Sequence, residues 1–400
     1  MKKNRIYTLL GAIAGFVIAI GAMTMIAPQL RNVVSKPEDN SEANTDTMQQ
    51  PAEEIKNLAE IDNLLYEEEQ ISLQPTDEDR TMKLCGISGD KIFISEEKNN
   101  PGDDPANGLD DTVDVKYYEY NRITQTKTLI FEHEVGYGYE PVCYENHMFL
   151  ISEVGDTAPD CYQLYDITSE GAEVIEESTS YFYVHSIFLC GSDIVFTTRE
   201  ENGDVHTSCL KKYDIATKEV ETIVAEEYEG TDPEHATGTT IGSVGGWGED
   251  VVYVTYSYSY DEPGEVEARM YKYNLSLGKA EELPIESGDF CYYAGGDEQC
   301  VIVDSWTDGG EEGNYTYFET EQGYEAYRIP GEKEIGNIKF VQKMPNELLF
   351  VRNESGYTLI NLEQKAYMSE KIFTPSFCNE NEIAFMDEQN VLSVRKYAGT

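Results

Sequence analysis

The amino-acid sequence predicts an all-β protein, a single β-propeller of seven four-stranded blades, preceded by an N-terminal transmembrane helix and an acidic tether. Three observations lead to this prediction: a strand pattern that repeats over residues 81–400, a composition suited to strands, and an uncharged stretch behind a basic amino terminus. The 400 residues include 29 Tyr, and Tyr and Val favour strands. The repeating region shows no helical apolar stripe, which disfavours a fold of alternating strands and helices.

Each repeat begins with a polar turn and a short apolar strand. Seven such strands are recognisable, at residues 92–94, 148–151, 194–196, 251–254, 300–303, 348–351 and 383–386. Their starts are 35 to 57 residues apart, which suits four-stranded blades with loops of variable length. Six or eight blades remain open, because long loops blur the count.

A second strand in most repeats ends in a Tyr-Asp or Tyr-Asn turn, as in Tyr120-Asn121, Tyr213-Asp214 and Tyr273-Asn274. The Asp or Asn side chain is expected to bond the backbone within the turn. The last repeat is one strand short. Residues Gln70–Gln74 are predicted to supply that strand and to close the ring, which removes exposed sheet edges.

The run Ile194-Val195-Phe196-Thr197-Thr198, followed by Tyr213-Asp214-Ile215, and its copies resemble the TolB-like and YWTD-type bacterial propellers of secreted or anchored proteins. The resemblance covers about residues 81–400 and is one of repeat pattern. The Tyr-Trp-Thr-Asp motif itself is absent, and no binding residues can be transferred. The resemblance implies a platform for protein interaction, and this expectation rests on the fold alone.

The N-terminus predicts a cell-membrane location. Residues 1–5 form a basic stub with Lys2, Lys3 and Arg5, and the 22 residues of Ile6–Ala27 carry no charge. At about 1.5 Å per residue this stretch can cross a hydrocarbon core of roughly 30 Å. The basic flank predicts a single-pass anchor with a cytoplasmic N-terminus and an extracytoplasmic propeller. A cleaved signal peptide, which would release a secreted chain, is the alternative.

Residues 28–80 are predicted to be an acidic tether, in which Lys56 and Arg80 are the only basic residues after residue 36. Within the tether, residues 51–66 are predicted to form a short amphipathic helix. Its apolar residues recur at helical spacing and are Ile55, Leu58, Ile61, Leu64 and Leu65. This apolar stripe is expected to dock on the folded domain, with self-association as the alternative.

The net charge of −47, with a pI of about 4.2, argues against nucleic acid as a partner, because such binding needs Lys and Arg at phosphates. It also argues against an anionic lipid surface, so the membrane is contacted through the N-terminal helix only. The expected function is that of an extracytoplasmic binding or scaffold protein, with an envelope protein, a peptide or a glycan as partner. No catalytic motif is recognisable, and the five His are scattered. A propeller-type hydrolase or lyase with a site in the central channel is the alternative.

One acidic loop matches part of a calcium-binding loop. Counted from Asp103, the pattern predicts oxygen ligands from Asp103, Asn107, Asp111 and Asp114, with Gly108 at the sharp turn. Pro105 occupies a ligand position and cannot ligate through its side chain. A solvated acidic loop is the alternative to this structural calcium site, and no other cofactor is predicted.

The predicted ligand-binding residues are aromatic. Tyr256, Tyr258 and Tyr260 alternate with Ser along one strand and therefore face the same way. Trp247 lies in a Gly-rich stretch, Thr237 to Gly248, that is interpreted as a loop with room for a binding turn. A simple link between blades is the alternative for this stretch. Packing between blades explains the same aromatic residues equally well.

The eight cysteines show no C-x-x-C pair and no zinc spacing. Several lie inside apolar strands, where a thiol packs like a small hydrophobic side chain. Mostly free, structural cysteines are therefore expected. Pairing of Cys143 with Cys161 across a hairpin is the one disulfide considered.

Overall fold

The computed structural model describes residues 55–61, 64–99, 113–135, 140–154, 161–178, 187–230, 237–259, 266–285, 290–306, 312–329, 338–344, 347–353, 356–371, 376–379 and 382–397. The predicted basic stub, the membrane span at 6–27 and the first part of the tether lie outside these residues. Within these ranges, no helix is long and apolar enough to span a membrane.

The described chain consists of strands joined by turns. Three strands come first: β1 (Lys56–Asn57), β2 (Ala59–Glu60) and β3 (Tyr66–Ser72). Set 1 is β4 (Thr81–Ser88), β5 (Lys91–Asn99), β6 (Val113–Asn121) and β7 (Thr126–Val135). Set 2 is β8 (Val142–Tyr144), β9 (His147–Val154), β10 (Cys161–Thr168) and β11 (Gly171–Ser178). Set 3 is β12 (Ile187–Cys190), β13 (Asp193–Asn202), β14 (Val205–Asp214) and β15 (Glu219–Glu229).

The remaining strands continue the same arrangement. Set 4 is β16 (Thr237–Trp247), β17 (Asp250–Tyr258), β18 (Val266–Asn274) and β19 (Lys279–Glu282). Set 5 is β20 (Phe290–Gly296), β21 (Cys300–Trp306), β22 (Glu312–Thr320) and β23 (Gly323–Arg328). Set 6 is β24 (Ile338–Met344), β25 (Leu348–Asn353), β26 (Gly356–Asn361) and β27 (Ala366–Lys371). Set 7 is β28 (Ser376–Cys378), β29 (Glu382–Met386) and β30 (Val391–Tyr397), completed by β3.

Within each set the strands pair antiparallel in chain order, except that β3 pairs beside β30. Sets 3 and 4 share one sheet only through Tyr228 and Glu229 of β15, which pair with Gly238 and Thr237 of β16. The seven predicted apolar strands are the second strands of the sets, from β5 to β29. The sequence analysis missed the first strands, which are often short and rich in Gly or Cys.

The predicted Asp/Asn turns have a common geometry. The side-chain oxygens of Asn121, Asp214, Asn274 and Asn361 each accept a hydrogen bond from the backbone N–H three residues later, at 2.8 to 2.9 Å. A residue with positive φ follows each of them four positions later, from Gln125 to Lys365. Asp166 of Tyr165-Asp166 differs, because the β10–β11 turn comes later: Thr168 pairs with Gly171, and the Thr168 hydroxyl accepts from the Glu170 N–H at 3.2 Å. The Asp166 carboxylate is instead hydrogen-bonded to the His147 ring.

Seven apolar clusters fill the spaces between consecutive sets, including the space between sets 7 and 1. Successive side chains of each second strand point to opposite faces of the sheet, so each strand contributes to the clusters on both of its sides. On β5, Ile92 and Ile94 pack toward set 7, whereas Phe93 packs toward set 2. This period of two explains why these strands are apolar throughout, since both of their faces are buried.

The N-terminal segment closes the arrangement. β3 pairs antiparallel with β30 from Tyr66 to Ser72, so the strand predicted at Gln70–Gln74 begins and ends earlier in the chain. β1 pairs parallel with β23, the outer strand of set 5, and β2 pairs parallel with β27, the outer strand of set 6. We call the described residues of 55–72 the strap, because they pair with the outer strands of sets 5 and 6 and supply the outer strand of set 7.

The predicted amphipathic helix over 51–66 is wrong for its described part, which is extended. The strap gains backbone hydrogen bonds from two sheet edges, for example from the Ile61 N–H to the Tyr367 carbonyl at 2.8 Å. Leu58 (4% exposed) fills the cluster between sets 5 and 6, and Leu64 (7% exposed) fills the cluster between sets 6 and 7. The expected docking on the folded domain thus occurs through strand pairing, while Leu65 is 79% exposed.

A central cavity as the candidate binding site

The first strands of all seven sets line one central cavity of about 610 Å³. These strands lie next to one another in cyclic order from β4 through β24, and β28 contacts β4 and β25. The wall is mostly apolar and aromatic. Its charged residues, among those described, are Glu140, Lys339 and Arg352. Such a wall, with a few polar groups in an apolar surround, is typical of ligand sites.

Four of the lining strands are irregular at the cavity. The pairing register shifts at Leu84/Gly86 in β4, Ile241/Val244 in β16, Cys291/Tyr293 in β20 and Ile338/Phe340 in β24. A bulge leaves one residue out of the ladder and redirects side chains, and bulges are common beside functional sites. At β24 the shift places Lys339, which lines the cavity, between the paired residues Ile338 and Phe340.

Tyr256 of β17 lines the cavity and bonds a backbone group at the bulge in β20. Its hydroxyl accepts a hydrogen bond from the Cys291 N–H at 3.0 Å, and the Ser243 hydroxyl donates to the Cys291 carbonyl. Gly242 permits this arrangement, because a Cβ there would lie 2.2 Å from the Tyr256 ring. Burial raises the pKa of the Tyr256 hydroxyl, so this group remains a neutral hydrogen-bonding residue of the wall.

Arg352 is the buried cation of the cavity, with a side chain 7% exposed. Its guanidinium donates one hydrogen bond to the Glu140 carboxylate and another, of 3.4 Å, to the Ser376 carbonyl. The guanidinium carbon also lies 5.6 Å from the centre of the Phe340 ring and 5.0 Å from that of Phe377, within the range of cation–π attraction. These contacts hold the guanidinium in one place.

The thiols at the cavity are protonated and packed. Cys143, Cys291 and Cys378 line it, and Cys85 lies beside Cys143. Burial raises the pKa of Cys85 and of Cys291 to about 12 and raises that of Cys143 and Cys378 well above 9.0. A thiol is a poor nucleophile and a poor metal ligand until it loses its proton.

The considered pairing of Cys143 with Cys161 does not occur, because Cys143 is a free thiol. Cys143 lies opposite Met148 on β9, whereas Cys161 lies opposite Val154 of the same strand. Six residues of strand, roughly 20 Å at about 3.3 Å per residue, separate the two positions. A disulfide needs Cα atoms within about 7 Å.

The predicted aromatic ligand-binding residues lie in different places. Tyr256 lines the cavity, but Trp247 is 2% exposed and packs in the cluster between sets 5 and 6. The interpretation of Thr237 to Gly248 as a loop is wrong, since Thr237–Trp247 is the strand β16. Tyr258 is half-buried, with its ring centre 6.4 Å from that of Tyr228. Tyr260 lies outside the described residues.

Of the predicted calcium ligands, Asp103, Asn107 and Asp111 lie outside the described residues, and Asp114 is the second residue of β6. The Asp114 carboxylate accepts a hydrogen bond from Arg80 at 2.5 Å. Within the part of the chain that the structure describes, no cluster of His, Cys, Asp and Glu has the geometry of a metal site.

The described histidines are spread over three strands. His133 lies on β7, His147 on β9 and His206 on β14, and none of the three lines the cavity. His147 is hydrogen-bonded through Nδ1 to Asp166 at 2.7 Å, and its ring stacks on Phe149. His185 and His235 lie outside the described ranges.

Comparison with known proteins identifies the fold. No family model matches the chain, and no curated protein is significantly similar to it. A similar solved structure is the β-propeller domain of the Trilobed protease from Pyrococcus furiosus, at 10% identity and a TM-score of 0.50, covering 79% of this chain and 92% of that chain. The chain has a β-propeller fold. The low identity restricts this conclusion to the fold.

Other solved propellers match at TM-scores below 0.5. Oligogalacturonate lyase in complex with manganese is 12% identical, with 86% of this chain and 99% of that chain covered and a TM-score of 0.46. BamB from Moraxella catarrhalis is 9% identical, with 83% and 100% covered and a TM-score of 0.40. These two similarities add no argument about function.

The cavity residues escaped the sequence analysis for identifiable reasons. Arg352 follows an apolar strand and resembles any strand-end cation, and Glu140 is one of 76 acidic residues. Only the structure shows that two of the three charged residues described at the cavity are basic, although Asp and Glu outnumber Lys and Arg by 76 to 29 in the chain.

Proposed function

We propose that this propeller is a binding protein, held outside the cell by its N-terminal segment, that engages its ligand in the central cavity. The seven sets would be the seven blades of one closed ring. The observation that supports the proposal most directly is the convergence of all seven first strands on one cavity of about 610 Å³. That volume lies within the roughly 300–1,000 Å³ of ligand pockets.

The chemistry of the cavity favours binding over catalysis. A hydrolase or lyase in the channel would need a general acid or base, or an activated nucleophile, in contact with its substrate. The carboxylate of Glu140 is engaged by Arg352, and burial keeps the thiols of Cys143, Cys291 and Cys378 protonated. Aromatic and apolar side chains beside a fixed cation suit recognition of an envelope protein, a peptide or a glycan.

Photocrosslinking tests the location of the site. A photoreactive residue would replace Gln342 or Lys339 at the cavity, or Val174 or Val220 on the outer strands β11 and β15. In intact cells of the host, the two cavity positions should yield the same adduct, and the two outer positions should not. Adducts confined to the outer positions, or none from the cavity, would show that the cavity is not the binding site.

The cellular location of the propeller is tested by a separate experiment. The uncharged Ile6–Ala27 stretch and its basic flank support a propeller outside the cytoplasm. Protease added to intact cells should therefore digest the propeller and leave an N-terminal stub in the membrane. Complete protection would contradict the proposal, and release of a shortened chain into the medium would indicate signal-peptide cleavage.

A further inference from the structure

We propose that Arg352 is the residue of the cavity that binds the carboxylate of a ligand. In the free protein the Arg352 guanidinium is paired with Glu140, and the ligand carboxylate takes the place of Glu140 on binding. The ligand class is a carboxylate attached to an apolar group, and we favour the C-terminal end of a peptide. This inference rests on the proposed function, because it assigns a ligand to the same cavity.

The first argument is the asymmetry of the ion pair. The Arg352 side chain is 7% exposed, whereas the Glu140 side chain is 55% exposed. A buried cation needs an anionic partner, because losing one leaves an uncompensated charge. An exposed carboxylate loses little when it returns to water. Replacing Glu140 by the carboxylate of a ligand therefore costs the protein little free energy.

The second argument is charge. Acidic residues dominate this protein, with a net charge of −47, yet two of the three charged residues at the cavity, Lys339 and Arg352, are basic. When Glu140 moves away, the remaining charged residues among the described part of the wall are Lys339 and Arg352, both basic. A basic wall attracts an anionic ligand.

The third argument is geometry. A guanidinium presents a planar fork of donors that matches the two oxygens of a carboxylate. The Phe340 and Phe377 rings hold this fork in place. A further hydrogen bond, from the Arg352 guanidinium to the Ser376 carbonyl at 3.4 Å, fixes the same group.

The fourth argument is the surface next to the fork. Phe188, Ile338 and Val341 continue the lining beyond the two rings. A simple inorganic anion would leave this apolar wall exposed to water. A carboxylate with an adjacent apolar side chain, as at the end of a peptide, would bury both parts.

Matched acids and amides test the inference. The probes are acetyl-Gly-Gly-Phe with a free carboxyl terminus, its C-terminal amide, 3-phenylpropanoate and 3-phenylpropanamide. Binding to the full chain in detergent would be measured by calorimetry. Each acid should bind at least about tenfold more tightly than its amide, because the charge-assisted bonds to Arg352 are lost in the amide. Preference for the peptide acid identifies a chain end as the source, and binding of 3-phenylpropanoate alone identifies a small acid.

Three variants complete the test. Glu140→Gln should tighten acid binding several-fold, because it removes the competing carboxylate, and it changes a mostly exposed side chain. Arg352→Lys keeps the charge but not the fork and should weaken acid binding about tenfold. Arg122→Gln is the matched control, since Arg122 is a largely buried, ion-paired arginine away from the cavity, and it should leave binding unchanged.

Equal binding of acid and amide, weaker or unchanged acid binding in Glu140→Gln, or no binding of either acid to wild type and Glu140→Gln would each overturn the inference. The proposed function fails differently, through loss of the Gln342 crosslink. A persistent crosslink without preference for acids would keep the cavity as the site and reject the carboxylate as its ligand.

Discussion

Glu140 and Arg352 are 212 positions apart in the chain and form an ion pair at the central cavity. Glu140 lies just before β8 of set 2, and Arg352 lies on β25 of set 6. Sets 7 and 1 lie between these two sets, since apolar clusters join set 6 to set 7, set 7 to set 1 and set 1 to set 2. The pair therefore connects parts of the propeller that share no apolar cluster.

We expect Glu140→Gln to destabilise the full chain by about 1–3 kcal/mol, because a buried guanidinium loses its charged acceptor. Thermal melting in detergent at pH 7 would measure the change. Glu67→Gln, at an exposed carboxylate of β3, is the control and should stay within about 0.5 kcal/mol of wild type. Equal melting temperatures for both variants would mean that the ion pair does not stabilise the fold.

Leu64 and Leu65 provide a test of the strap. They are adjacent in sequence but 7% and 79% exposed. Leu64→Ala should cost about 2–5 kcal/mol through lost burial and a cavity between sets 6 and 7. Leu65→Ala should cost less than about 0.5 kcal/mol. Similar losses in the two variants would contradict the extended strap, since a helix would place both residues on its apolar face.

Glu325 is expected to make attachment of the strap sensitive to acid. Hydrogen bonds from Lys365 and Lys56 lower the pKa of its carboxyl from 4.5 to about 2. A lowered folded-state pKa gives stabilisation that is present above pH 4.5 and lost as the pH falls toward 2. Hydrogen exchange at the Ala59 and Ile61 amides, which bond to set 6, should therefore accelerate over this window.

Glu325→Gln is the control for this effect. It should show faster exchange than wild type at pH 7 and no further loss between pH 4.5 and 2 at these two amides, after correction for intrinsic exchange. An identical acid response in the variant and in wild type would assign the effect to other carboxylates.

The described cysteines are expected to resist alkylation in the folded chain. The pKa of Cys291 is raised to about 12, mainly by burial, so the reactive thiolate is scarce at pH 8. Iodoacetamide followed by mass spectrometry should leave Cys85, Cys143 and Cys291 unmodified. The same treatment in denaturant should modify all three. Modification of Cys143 without denaturant would show that the cavity wall opens in solution.

The number and position of the apolar second strands could be predicted from sequence, because each strand buries both faces and is apolar over consecutive residues. The Asp/Asn turns could also be predicted, since their hydrogen bonds are local. The amphipathic helix was wrong because Leu58, Ile61 and Leu64 have helical spacing but meet two successive clusters in an extended chain. Spacing alone cannot distinguish a helix face from a strand that passes from one sheet to the next.

The sequence by itself determined the class of fold, the repeat, the acidic surface and a strand before the repeats that completes the last sheet. Only the tertiary structure decided where the candidate binding site lies and which residues form it. The Glu140–Arg352 pair, next to Phe340 and Phe377, joins residues 212 positions apart in the chain. Local sequence preferences for helix, strand or turn cannot predict such contacts, because the residues meet only where the first strands of different sets line the same cavity.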